Sequence, residues 1–262
     1  MRAVKLLVDV GNRRLKWASA RGANGGFEQS GALDFAGADE LPALAAQWAQ
    51  LAPESVWVSC VAAPPAREAL ARQVREAWSL DPVFIRARAR QAGVVNGYAE
   101  PGALGGDRWA ALVAAGAQHP RRALIVVDAG TAVTVDLLDC GVFRGGVILP
   151  GLRAMRAALT RRAEGINAGG APDSENSPAE LPDALATDTD AAVAAGAALA
   201  LAGGVELALA RQRASLPSAR RRGCLVVATG GDAAQLAPLL GCEVASAPDL
   251  VLRGLAVIAE AA

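Results

Sequence analysis

The chain has 262 residues, of which 53% are hydrophobic, and its 26 Lys+Arg balance 26 Asp+Glu for a formal net charge of +0. That composition is too apolar for a disordered chain and lacks the clustered basic excess of a nucleic-acid binder. The single histidine, His119, stands before Pro120 in a predicted loop, which argues against a His-based metal site or a Ser-His-Asp triad.

Cys60, Cys140, Cys224 and Cys242 form no C-x-x-C pair and read as buried free thiols of a reducing cytoplasm. The apolar run 4–10 contains Lys5 and ends at Asp9, which is wrong for a secretory signal. The uncharged stretch 191–205 is mostly Ala and Gly and reads as too short to span a bilayer. The expectation is a cytoplasmic protein with neither nucleic acid nor membrane as partner.

In chain order, residues 4–10 are a β-branched run ended by the tight-turn pair Gly11-Asn12, and 15–20 resumes strand composition. A third strand is expected at 31–35. Helical periodicity over 41–51 places Leu41, Leu44, Ala45, Trp48 and Leu51 on one face. A strand at 55–61, a helix at 66–78 and a short strand at 83–85 follow. The Gly-rich stretch 93–106 leads into a helix from about Asp107 to Gln118, and Pro120 marks a domain boundary. Strands are predicted at 124–128, 133–138 and 142–149, and a helix at 152–161. Residues 164–182, with three prolines, read as a loop. A small-residue helix over 191–213, a strand at 225–228 and helices at 233–240 and 250–260 complete the chain. The same order occurs twice, a strand ending in Asp-x-Gly, a hairpin partner, then helices. Two related α/β halves, 1–119 and 120–262, with ligands in a cleft between them, are the expectation.

Four segments carry chemistry. In Asp9-Val10-Gly11-Asn12-Arg13-Arg14-Leu15-Lys16, a glycine lets backbone N–H groups approach a phosphate, with an amide and an ammonium beside it. Asp9 suits hydrated Mg²⁺, which takes one or two carboxylates plus phosphate oxygens. Alone, this is also an ordinary Asn-containing turn. Asp128-Ala129-Gly130-Thr131 repeats the device where the second half opens. Thr229-Gly230-Gly231-Asp232 follows a strand; paired glycines admit a planar base, and Asp232 reads equally as a helix N-cap. Together the three resemble the phosphate-1, phosphate-2 and adenosine elements of the actin-like ATPase superfamily, while G-x-x-x-x-G-K-[ST] is absent.

The fourth segment runs from Tyr98, the sole tyrosine, through Pro101, Leu104, Gly105 and Gly106 to Asp107 and Arg108. It resembles the Y-x-x-P-x-x-L-G-x-D-R segment of type III pantothenate kinases at every fixed position. Gly145-Gly146-Val147-Ile148-Leu149-Pro150-Gly151 and Asp188-Thr189 are similar to two further family segments. The resemblance implies two ribonuclease-H-like (actin-like ATPase) domains and transfer of the γ-phosphoryl group of ATP to pantothenate. It implies ATP contacts from residues 9–16 and Thr131. It assigns pantothenate contacts to Tyr98, Gly105, Gly106, Asp107 and Arg108, and to Thr189 across a homodimer interface. Asp107 is then the catalytic base. Asp128 helps hold a monovalent cation, K⁺ or NH₄⁺, and Asp9 holds Mg²⁺ through water. Two positions depart from the family pattern: Arg13 stands where Thr or Ser is usual, and Ala192 where Ser is usual. A regulatory accessory protein on the same fold, or a superfamily kinase for another small hydroxylated substrate, are the alternatives.

Overall fold

The computed structural model describes residues 4–22, 26–35, 37, 41–160 and 185–262. The loop expected at 164–182 lies outside them. Two compact units form: Met1–Pro120 with Gly141–Phe143 and Asp249–Ala262, and Arg121–Cys140 with Arg144–Pro248.

The first unit is built on a five-stranded sheet. Strand β1 (Lys5–Val10) pairs antiparallel with β2 (Arg14–Ala20), which pairs antiparallel with β3 (Gln29–Asp34). On the other side of β1 lie β4 (Ser55–Cys60) and then β5 (Val83–Phe84), both parallel to it. Helix α1 (Pro42–Trp48) precedes β4, and α2 (Pro64–Trp78) follows it. As the central strand, β1 buries Leu6, Leu7, Val8 and Val10 completely. Each such side chain contributes about 1.5–3 kcal/mol of burial.

Side chains alternate along the strand, so the two faces hold different cores. Leu6, Val8 and Val10 pack with Leu15, Trp17, Leu44, Trp48, Leu70 and Val74. Trp48 meets Trp17 edge-on, with ring centroids 6.4 Å apart. On the opposite face, Leu7, Ala18 and Ala20 pack with Leu252, Leu255 and Ala256 of the closing helix, Leu250–Glu260. That helix also crosses α3 (Gly106–Gln118) at close range. Gly254 makes the crossing possible, because a Cβ there would run into the Ala110 carbonyl.

Across the start of the stretch read as merely Gly-rich, the structure forms a small antiparallel hairpin, β6 (Arg90–Gln91) and β7 (Val94–Val95). Its turn residues Ala92 and Gly93 have φ of 46° and 82°, the left-handed geometry of a two-residue hairpin. Strands of two residues are too short to show a period of their own.

The second unit repeats the plan. Strand β8 (Ala123–Ala129) pairs antiparallel with β9 (Ala132–Asp139), beyond which lies β10 (Val142–Pro150). Helices α4 (Leu152–Thr160), α5 (Thr189–Ser215) and the short α6 (Ser218–Arg221) come next. Strand β11 (Leu225–Thr229) then pairs parallel with β8, α7 (Ala233–Leu236) follows, and β12 (Ala245–Ser246) pairs parallel with β11. Order β12-β11-β8-β9-β10 is the counterpart of β5-β4-β1-β2-β3. Each unit is therefore a hairpin extended by parallel strands, the repeat expected of a ribonuclease-H-like pair.

Helix α5 covers one face of this second sheet, burying Ala195, Ala198, Leu201, Val205 and Leu209. Its Gln212 Nε2 donates to the Val135 carbonyl at 2.7 Å. The stretch judged too short to span a bilayer belongs to a helix of 27 residues, long and apolar enough to do so by length and composition.

Candidate active site

Asp9 lies one residue before the end of β1 and is the cross-strand partner of Lys16 on one side and Ser59 on the other. Partners directly opposite share a face, so the three polar side chains form a row at the carboxyl end of the sheet. Their face is the one that carries Leu7 and the closing helix. The Gly11 N–H donates to the Arg14 carbonyl at 3.0 Å, closing the turn, while Asn12, Arg13 and Arg14 are exposed on it. Ser59 is fully buried, and its Oγ has no hydrogen-bond partner among the described residues. The neighbouring Cys60 thiol is pushed above its usual pKa, chiefly by burial, with the Asp9 charge adding to the effect.

Helix α3 begins at the same sheet edge. A Cβ on Gly106 would lie 3.4 Å from the Ile85 carbonyl, and the Ile85 N–H bonds to Val58 of β4. Gly105 is the N-cap residue, and Asp107 sits in the first turn. There Asp107 Oδ1 accepts from the Arg108 N–H at 2.7 Å, and the helix dipole favours its ionised form. Ligands of parallel α/β sheets bind at the carboxyl ends of strands. Asp9, Ser59 and the first turn of α3 all occupy that end in this unit.

Arg108 is only 7% exposed. Its Nη1 donates to the Tyr98 hydroxyl at 3.0 Å, and its guanidinium carbon lies 5.9 Å from the centroids of both the Tyr98 and Phe143 rings. Those two rings pack on each other 5.4 Å apart. Asn96 prepares the segment: its Oδ1 accepts from the Tyr98 N–H at 3.0 Å, and its Nδ2 donates to the Pro101 carbonyl at 3.1 Å. Sequence reasoning missed Asn96 and Phe143. The pair Asn96-Gly97 is a turn signal that points to the first; nothing local points to the second.

In the second unit, Asp128 near the end of β8 is flanked by Thr134 on β9 and Thr229 on β11. The register repeats that of Asp9 with Lys16 and Ser59. The Thr131 carbonyl accepts from the Gly151 N–H at 3.0 Å, and the Ala129 carbonyl from the Asp232 N–H at 3.0 Å. Gly230 has φ of 94°, and a Cβ there would strike both the Ala129 carbonyl and the Asp128 carboxylate. Asp128, Thr131 and the paired glycines thus come together at one strand end. Asp232 is the N-cap residue of α7 but makes no side-chain cap bond; its carboxylate faces Arg153 Nη2 at 3.4 Å. Thr189 is the first residue of α5 and is exposed.

No group of three or more His, Cys, Asp or Glu side chains able to hold a metal occurs among the described residues. Magnesium needs none, since one or two carboxylates complete its shell with water and phosphate oxygens.

A family model described as type III pantothenate kinase matches residues 5–211. A type III pantothenate kinase of Nitrosococcus oceani is 36% identical over 97% of this chain and 93% of its own. One of Aromatoleum aromaticum is 40% identical over 97% of both. Among solved structures, a protein described as a 2-dehydro-3-deoxygalactonokinase from Sinorhizobium meliloti superposes with a TM-score of 0.59 at 15% identity, covering 98% of each chain. That likeness bears on the fold alone.

Proposed function

This chain belongs to the type III pantothenate kinases, and on that footing we propose how its residues divide the work of phosphorylating pantothenate. The enzyme takes ATP and pantothenate as substrates, with a divalent metal accompanying ATP, and forms 4'-phosphopantothenate at the start of coenzyme A synthesis. The observation that carries the assignment of roles is the buried Arg108, fixed by Tyr98 one residue from Asp107.

In this reading Arg108 binds the substrate carboxylate through charge-assisted hydrogen bonds. Tyr98 takes one of its five donors and holds the guanidinium plane. Gly105 and Gly106 line the approach with backbone only. The primary hydroxyl then meets Asp107, whose ionised carboxylate accepts its proton as the hydroxyl oxygen bonds to the γ-phosphorus and ADP leaves. The Asp9–Lys16 turn and Thr131 hold the nucleotide phosphates. Asp9 is the carboxylate suited to Mg²⁺, which when bound with ATP neutralises phosphate charge. Asp128 is suited to a monovalent cation, K⁺ or NH₄⁺.

A homodimer completes the proposal. On α5, Ala192, Gly196, Leu199, Gly203 and Leu207 are exposed at helical spacing; Leu199 and Leu207 are 42% and 59% exposed. A Cβ on Gly196 or Gly203 would meet nothing within 4 Å. A stripe of small and apolar residues suits close packing against a second copy, which brings Thr189 to the neighbour's substrate. The four cysteines are free, although Cys140 is exposed and the other three are only half-buried, against the expectation of buried thiols; free thiols fit a reducing cytoplasm.

The test is ADP release, followed by a coupled assay, with pantothenate and a panel of other small hydroxy acids. Release should depend on pantothenate. Equal rates with the panel, or without any acceptor, would overturn the assignment.

A further inference from the structure

The chain has two lysines, Lys5 and Lys16, and both reach the closing helix. At one end Lys5 Nζ donates to the Ala259 carbonyl at 3.0 Å and to Glu260 Oε1 at 2.8 Å. At the other, Lys16 Nζ donates to Asp249 Oδ1 at 3.1 Å. Asp249 is unusual in two further respects. It is the N-cap residue of the closing helix, a position where Asp ordinarily accepts from a helical N–H, yet it makes no such bond. Its backbone is left-handed, with φ of 55°, a conformation uncommon outside glycine although Asp adopts it more readily than most residues. The carboxylate is thus turned away from its own helix and toward Lys16.

Stability does not account for this arrangement. Both side chains are partly exposed, at 27% and 39%, and ion pairs in that setting contribute little to folding. A glycine would relieve the backbone, and a conventional cap would serve the helix better. What the arrangement does achieve is to fix one of three ammonium donors, so that the lysine points along one direction at the mouth of the β1–β2 turn.

We propose that Asp249 is a positioning residue for nucleotide binding. It orients Lys16 toward the phosphates and ties the phosphate-binding hairpin to the closing helix. The logic parallels that of protein kinases, where a carboxylate on a helix holds the phosphate-binding lysine in place. This inference rests on the reading of Lys16 as a phosphate contact.

The experiment is steady-state kinetics on Asp249→Ala, Asp249→Glu, Lys16→Met and the Asp249→Ala/Lys16→Met double variant, with thermal unfolding as control. Asp249→Ala should raise the KM for ATP about tenfold, the worth of one charge-assisted hydrogen bond. The KM for pantothenate and the unfolding midpoint should hold, and Asp249→Glu should recover part of the loss. In the double variant the effects should be less than additive. If Lys16→Met weakens ATP and Asp249→Ala does not, or strengthens it, the positioning role is overturned while the phosphate contact stands. If Lys16→Met leaves the KM for ATP unchanged, the phosphate contact itself fails, and the proposal with it. Should Asp249→Ala unfold, Asp249→Asn, which keeps size and polarity, gives the same comparison.

Discussion

Arg108 donates to the hydroxyl of Tyr98, ten residues earlier in the chain, at 3.0 Å, and this bond holds a nearly buried cation in one orientation. A buried charge is tolerated only when it is paired and hydrogen-bonded. Removing the hydroxyl with Tyr98→Phe should therefore loosen the guanidinium without emptying the site. The KM for pantothenate should rise about two- to tenfold, the range of one net hydrogen bond. Arg108→Ala should raise it further and leave the KM for ATP unchanged. Equal KM values for the wild type and Arg108→Ala would remove Arg108 from the substrate site.

Asp107→Asn keeps the shape of the first turn of α3 but removes the basicity. The turnover number should fall by about two orders of magnitude or more, the usual cost of losing a general base. Circular dichroism and ATP binding should be preserved. A near-normal rate would mean that another carboxylate takes the proton, and Glu100 would be the next to test.

Asp128 pairs in register with Thr134 and Thr229, so its carboxylate stands at a polar strand end. If it helps hold a monovalent cation, replacing Na⁺ by K⁺ or NH₄⁺ should stimulate turnover, and Asp128→Asn should abolish the difference between salts. Identical rates in all three salts for the wild type would exclude that role.

Gly203 lies on the exposed stripe of α5, with open space where a side chain would go. Gly203→Glu should leave the fold intact yet place a charge in the proposed dimer interface. Light scattering should show a dimer for the wild type and a monomer for the variant, whose KM for pantothenate should rise together with that of Thr189→Ala. A wild-type monomer with full activity would rule out a shared substrate site.

Much of the scaffold follows from local signals. β-Branched runs that end in Asp-x-Gly mark β1 and β8, because buried central strands are apolar along their whole length and must turn where the polar residues begin. The Gly11-Asn12 turn is legible in the same way, and a Cβ on Gly11 would lie 3.0 Å from the Arg14 carbonyl. The Tyr98–Arg108 segment is legible because its chemistry is contiguous. Helix α5 is legible over 191–213, and the structure extends it by two residues at each end, to Thr189–Ser215, the ordinary uncertainty of a helix boundary.

What lay beyond the sequence is long-range. Residues 250–260 announce a helix, but only the assembled sheet shows that Leu252, Leu255 and Ala256 pack on β1 and β2 of the first unit. The pairing of Asp249 with Lys16 spans 233 positions, and no local pattern carries that information. Phe143 reaches the Tyr98 ring because the start of β10 pairs with Val95 of β7. Local sterics and periodicity decide turns and elements; which elements meet is decided by burial of apolar faces, a property of the whole chain. The side chains brought together by that burial, Asp249 beside Lys16 and Phe143 beside Arg108, were therefore settled only by the tertiary structure.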